Sequence, residues 1–181
     1  MSDERAFIPL SIAILTVSDT RGLDDDRSGA MLVERLTNAG HRLADRQIAT
    51  DDVGAIRDIV KGWCARPDVD VVITTGGTGF TGRDVTPEAL EPLFDKRMDG
   101  FSAVFHRVSY EKIGVSTIQS RATGGVIDAT FVFALPGSPG ACRDGWDHIL
   151  SLQLDYRHRP CNFVEIMPRL DEHLRRGGRS A

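Results

Sequence analysis

The run VVITT at residues 71–75 empties into Gly76, Gly77, Thr78 and Gly79. A stretch that short, apolar and β-branched reads as a strand buried on both faces, as in a parallel sheet covered by helices. Glycine tolerates positive φ and leaves the backbone bare. Three glycines in four residues therefore let N–H groups approach an oxyanion. A strand ending in such a loop is a usual phosphate holder in α/β proteins. Arg83, Asp84, Thr86, Pro87 and Glu88 follow at once. They supply a cation for phosphate charge, a carboxylate for a hard metal ion and a helix start with hydroxyl, proline and acid in order.

The rest of the chain repeats the pattern. Residues 10–17 (LSIAILTV) read as a first buried strand ending in Ser18 and Asp19. A loop follows, with Ser28 as the expected cap of a helix over 30–38 that Gly40 stops. Residues 41–49 read as a half-exposed strand, 51–66 as a helix ended by Pro67, and 69–75 as the third strand. A helix over 99–113 is expected to turn Phe101, Val104, Phe105 and Val108 inward. Residues 124–128 and 130–135 read as a hairpin, 136–140 as a rigid loop, and 141–156 as a last helix. Strands alternating with helices predict an α/β, three-layer α/β/α fold, mainly parallel with one antiparallel hairpin. Residues 8–165 make one domain, and 166–181 read as a tail, disordered over 175–181. Ligands of open parallel sheets sit beyond the carboxyl ends of the strands. Three such ends are polar or glycine-rich: Ser18-Asp19, residues 76–84, and Pro136-Gly137-Ser138. Their convergence predicts one shared site.

Composition excludes some alternatives. The chain has 181 residues and a net charge of −4, against the basic surface that a sequence-independent nucleic-acid binder needs. The apolar run near the start is too short to span a bilayer, and no signal peptide is seen, so a cytoplasmic protein without membrane contact is expected. Cys64, Cys142 and Cys161 lack zinc spacing and fit a reducing compartment as small hydrophobes. The five histidines form no ligand set. Trp63 and Trp146 sit at core helix spacing, and the acidic run 24–26 reads as a solvated loop.

TGGTGFTG also matches the TGxxGxxG fingerprint of short-chain dehydrogenases. That fingerprint follows the first strand and is answered by an acidic residue about 20 residues on. Here residues 1–70 precede it, and no second strand with an acidic end follows. The Tyr-x-x-x-Lys pair is missing, since Tyr110 is followed by Gly114 and Tyr156 by Pro160.

The stretches IAILTVSDTRG, DDRSG, ITTGGTGFTGRDVTPEAL, LFDKRMDGF, TIQSRATGG, FALPGSPGACR and DYRHRPCNF resemble the molybdenum cofactor biosynthesis protein B (MoaB) family. They are similar also to the MogA-type adenylyltransferases and the gephyrin N-terminal domain. The resemblance implies molybdenum cofactor biosynthesis, with molybdopterin as substrate, ATP as co-substrate and Mg²⁺ as cofactor. It implies adenylylation of molybdopterin, a homotrimer or a hexamer, and hand-off to a separate molybdate-inserting protein. A non-catalytic molybdopterin- or nucleotide-binding paralogue is the alternative.

Carried onto this sequence, the resemblance implies Asp84 and Asp51 as catalytic and Mg²⁺-holding carboxylates. Helix capping competes as a role for Asp51, and the register between Asp51 and Asp52 stays open. Gly76, Gly77, Thr78 and Gly79 would meet phosphate, with Arg83 and Arg121 for its charge. Ser18, Ser120, Pro136, Gly137 and Ser138 would line the site, joined by Thr86 and Glu88. Asp26 and Ser28 match a loop bordering the pterin side. Thr50 stands where many relatives have proline.

Overall fold

The computed structural model describes residues 5–173. Strand β1 (Ser11–Val17) pairs in parallel with β2 (Arg42–Ala49) and β3 (Val71–Thr75), and β3 pairs in parallel with β6 (Thr130–Leu135). Antiparallel to β6 runs β5 (Thr123–Ile127), and at its edge lies the two-residue β4 (Lys96–Arg97). The order across the sheet is β2-β1-β3-β6-β5-β4. The tail disorder expected for 175–181 lies outside the described residues.

Alternation along the strands builds two cores. Ile12, Ile14, Val71, Ile73, Phe131 and Phe133 face α1 (Arg27–Asn38), α4 (Asp99–Ile113) and the C-terminal helices, through Leu32, Leu36, Phe101, Phe105, Trp146 and Ile149. Their neighbours Ala13, Leu15, Val72, Val132 and Ala134 face α2 (Val53–Cys64) and α3 (Thr86–Leu90), through Ile56, Val60, Trp63, Ala89 and Leu90. Successive strand residues point to opposite faces, so strands that are apolar throughout need helices on both sides. The result is the expected three-layer fold.

The hairpin turn between β5 and β6 places Asp128 and Ala129 at φ 46° and 63°, the positive pair that a two-residue turn demands. The last long helix starts earlier than expected. Ser138 caps α5 (Pro139–Gly145), and the helix continues through a π turn at Trp146–Leu150 into α6 (Ser151–Gln153). So 139–140 is helix, because Pro139 suits the first turn. Beyond it, α7 (Phe163–Ile166) and the turn Met167–Arg169 set Met167 and Leu170 against the first core.

Four expectations need correction. Asp26, not Ser28, caps α1: its carboxylate accepts from Gly29 N at 2.9 Å. The acidic run is therefore not wholly solvated, since Asp26 is buried against Thr16 and Arg46. On α4 the inward residues are Phe101, Phe105 and Ser109 at four-residue spacing, and Val104 is 47% exposed. The hydroxyl of Thr86 is not a cap either; it turns back to Gly76 O at 2.8 Å.

Candidate functional site

The carboxyl ends of β1, β3 and β6 are neighbours in the sheet, so their loops meet. Between them opens a cavity of about 800 Å³. Ser18, Asp51, Gly76, Gly77, Thr78, Gly79, Arg83, Asp84, Ser120, Pro136, Gly137 and Ser138 line it, all anticipated from the sequence. Val17, Asp19, Thr20, Arg21 and Gln119 complete the wall. Of these, only Asp19 stood out beforehand, as part of a polar strand end. Thr20, Arg21 and Gln119 carry no signal beyond adjacency to marked residues.

The glycine loop is held by contacts that leave no room for side chains. Gly76 has φ 101°, and a Cβ there would come 2.3 Å from Val17 O. Gly77 has φ 64°, and its Cβ would come 2.4 Å from Thr86 Oγ1. Gly76 N donates to Leu135 O at 3.1 Å, so it is not a free donor. The N–H groups of Gly77 and Thr78 find no backbone acceptor among the described residues. Nor do those of Gly137 and Ser138.

Three carboxylates line the cavity: Asp19, paired with Arg83, and Asp51 and Asp84. Asp52 caps α2 by accepting from Ala55 N at 2.8 Å, while Asp51 lines the cavity. Asp51 N donates to Asp19 Oδ1 at 3.0 Å, and no hydrogen bond to the Asp51 carboxylate is found among the described residues. Burial first, and then the charge of Asp84, push the Asp51 carboxyl above its ordinary value. Asp84 goes the other way. Burial acts to raise it, but hydrogen bonds from the Thr81 side chain, Thr81 N and Gly79 N, with Arg121 nearby, hold it below the usual carboxylate range. Thr81 N and Oγ1 donate to Asp84 Oδ2 at 2.8 and 2.7 Å.

The cations divide. Arg83 lines the cavity and pairs with Asp19 across it. Arg121 lies behind the loop, donating to Gly79 O at 2.8 Å and Asp84 O at 3.0 Å and pairing with Glu88. It therefore braces the loop. Asp26, Ser28, Thr86, Glu88 and Arg121 stand outside the cavity lining. Ser28 Oγ donates to Gly137 O at 2.8 Å, and Thr75 Oγ1 donates to Pro136 O at 2.9 Å, so both hold the third loop from beneath.

Such a pocket suits an anionic, phosphate-bearing ligand: backbone donors at strand ends, hydroxyls, the two exposed guanidinium groups of Arg21 and Arg83, and the carboxylates of Asp51 and Asp84 beside that of Asp19. No cluster of three or more His, Cys, Asp or Glu able to hold a metal is found among the described residues. Mg²⁺ needs no such cluster, because it is usually held by one or two carboxylates and substrate phosphates. The free carboxylate of Asp51 beside Asp84 fits that donor set.

Comparison with known proteins agrees. A family model described as a probable molybdopterin binding domain matches residues 13–156. Molybdenum cofactor biosynthesis protein B of Escherichia coli (strain K12) is 53% identical over 157 residues, covering 87% of this chain and 92% of that protein. A crystal structure of a molybdenum cofactor biosynthesis protein B superposes with TM-score 0.83 at 38% identity, covering 93% of this chain and 99% of that one. The tungsten cofactor synthesizing protein MoaB from Pyrococcus furiosus superposes with TM-score 0.69 at 37% identity, covering 79% and 91%.

Proposed function

The chain belongs to the molybdenum cofactor biosynthesis protein B family and acts in molybdenum cofactor biosynthesis, and on that premise we propose that it adenylylates molybdopterin with magnesium-ATP. An oxygen of the terminal phosphate of molybdopterin attacks the α-phosphorus of ATP. A new P–O bond forms, the bond to the bridging oxygen of the β-phosphate breaks, and pyrophosphate leaves. The substrate is its own nucleophile, so the protein has to position phosphates and balance their charge.

The residues divide this work. The donors of Gly77, Thr78, Gly137 and Ser138 bind phosphate oxygens. Ser18 and Ser120 orient the two substrates, and Arg83 exchanges Asp19 for phosphate when the nucleotide enters. Asp51 and Asp84 would hold the magnesium ion, which when bound offsets the charge gathering on the phosphates. The observation that carries this reading is the pairing of an unbonded Asp51 carboxylate with Asp84 at the rim of a glycine-lined phosphate cavity.

Assembly belongs to the same reading: a homotrimer, or a hexamer of two trimers. The exposed Val104, Tyr110 and Ile113 on α4, with Val115 and Ile118 in the turn after it, support an apolar contact between copies. The product would pass to a separate molybdate-inserting protein in the cytoplasm. No helix among the described residues is long and apolar enough to cross a membrane.

The test is adenylyl transfer by purified protein given molybdopterin and magnesium-ATP, with product followed by chromatography. Formation of the adenylate, lost in Asp84→Asn, supports the enzyme. Binding of ATP without product would make the chain a non-catalytic paralogue. Light scattering that shows a monomer at micromolar concentration would remove the assembly.

A further inference from the structure

The free backbone donors of the cavity, on Gly77, Thr78, Gly137 and Ser138, have their direction set from behind. In a trans peptide the N–H and the preceding residue's C=O point opposite ways. The four peptides concerned are trans. Whatever holds the carbonyl therefore aims the N–H. Thr86 Oγ1 donates to Gly76 O at 2.8 Å and so aims the N–H of Gly77. Thr75 Oγ1 donates to Pro136 O at 2.9 Å and aims the N–H of Gly137. Ser28 Oγ donates to Gly137 O at 2.8 Å and aims the N–H of Ser138. The fourth carbonyl, of Gly77, accepts from the backbone N of Thr86 at 2.9 Å and aims the N–H of Thr78.

The three hydroxyls lie in the interior. Ser28, Thr75 and Thr86 are each 0% exposed and stand outside the cavity lining, whereas all four donor residues belong to it. A carbonyl drawn inward by a buried hydroxyl leaves its N–H partner pointing outward, into the cavity. Serine and threonine hydroxyls commonly bond within their own helix or turn. Those of Ser28 and Thr75 instead reach across 109 and 61 residues of chain. Cys142 Sγ supports Thr75 from beneath, 3.0 Å from Thr75 Oγ1 and 3.4 Å from Pro136 O. Burial pushes this thiol up to about 11, so it keeps its proton as a donor. Arg21 Nη1 also approaches Gly137 O, at 3.4 Å, but from an exposed side chain.

Strands β3 and β6 pair in register up to Thr75 and Leu135, so the two loops leave the sheet side by side. Their donor pairs therefore face one space. We propose that Ser28, Thr75 and Thr86 are positioning residues: each, through one carbonyl, turns one N–H (of Ser138, Gly137 and Gly77 respectively) onto a single tetrahedral oxyanion. That this oxyanion is a phosphate of the substrates rests on the function proposed above. Donors aimed before the ligand arrives need no rearrangement on binding. Thr78, aimed by backbone alone, is the internal reference.

The test titrates inorganic pyrophosphate into the full chain and reads the amide proton shifts of the four donors. In the wild type all four move along one binding curve. Ser28→Ala, Thr75→Val and Thr86→Val each remove one hydroxyl with little change of shape. Each is expected to weaken pyrophosphate about tenfold, the scale of one hydrogen bond. Each also diminishes the shift of its own amide, while Thr78 keeps its full shift. Thr75→Ser and Thr86→Ser keep the hydroxyl and restore affinity and shift. A merely structural role would lower the urea midpoint and leave the folded protein's pyrophosphate affinity unchanged, and that result overturns the proposal. So does a loss spread evenly over all four amides, or a wild type whose amides ignore pyrophosphate. If pyrophosphate behaves as expected but molybdopterin and magnesium-ATP give no adenylate, the reaction fails and the positioning stands. If adenylate forms while all three variants bind pyrophosphate like the wild type, the reaction stands and the positioning falls. Should one variant not fold, the other two decide, because each answers for a different amide.

Discussion

A Cβ placed on Gly137 would lie 3.1 Å from the Cα of Gly76, so the loops after β3 and β6 touch backbone to backbone. Gly137→Ala must push the two loops apart by a few tenths of an ångström. We expect magnesium-ATP affinity to fall about tenfold and stability by only about 1 kcal/mol, because the loops can yield but the donors then miss their targets. Gly76→Ala is harsher. It adds positive-φ strain to a collision with Val17 O and is expected to cost about 3 kcal/mol or more. Urea unfolding beside calorimetric titration separates the two outcomes.

The acid limb of activity should belong to Asp51. Its carboxyl is raised, by burial and then by Asp84, so it is the first of the pair to take a proton as pH falls. Asp84, held low, stays charged further into acid. Asp51→Asn should therefore abolish the acid limb as well as most of the rate, and Asp84→Asn should cost at least about a hundredfold, roughly 2.7 kcal/mol in barrier. The stability signs are opposite. The lowered Asp84 contributes stability that is full above its unfolded value of 3.8 and lost as pH falls through its folded value. The raised Asp51 penalises the fold above its own folded value, and that penalty is gone below 3.8. A pH-rate profile with acid titrations of both variants checks the assignment.

Asp26 and Asp52 both cap helices, yet they should differ in cost. Asp26 is buried, and its Oδ2 accepts from Thr16 Oγ1 at 2.7 Å and Arg46 at 2.9 Å. Asp26→Ala strands a partly buried guanidinium and is expected to cost about 3 kcal/mol. The exposed cap Asp52→Ala should cost about 1 kcal/mol. Equal losses in chemical denaturation would contradict this account.

Ala129 sits at φ 63° in the β5–β6 turn. An L-residue there bears a steric cost that glycine avoids, partly offset by the greater freedom of glycine in the unfolded chain. Ala129→Gly should raise stability by about 0.5–1 kcal/mol, read as a higher urea midpoint with an unchanged slope.

The parts of the fold legible in the sequence were those set by burial. The runs 11–17, 71–75 and 130–135 are apolar on both faces and could only be central strands, and their polar exits named the cavity wall. Lys96–Arg97 was invisible because a two-residue charged edge strand has no period to detect. The cap of α1 was misjudged because Ser28 and Asp26 are equally good caps locally; Thr16 and Arg46, distant in the chain, decide between them. Val104 misled because an apolar residue beside Phe105 looks inward until the four-residue spacing of Phe101, Phe105 and Ser109 is seen. The bracing role of Arg121 was likewise hidden, since its acceptors are backbone carbonyls of a separate loop.

The sheet order makes the cavity a late arrival. Its three walls hang from β1, β3 and β6, side by side in space but far apart along the chain, and β6 is the last strand among the described residues. A growing or partly folded chain that lacks residues 130–138 has two walls and nothing to clasp a phosphate. Ligand thus meets only finished molecules, and by mass action it draws the folding equilibrium toward them. Nucleotide retention would then serve as a direct count of correctly folded protein, even in a crude preparation.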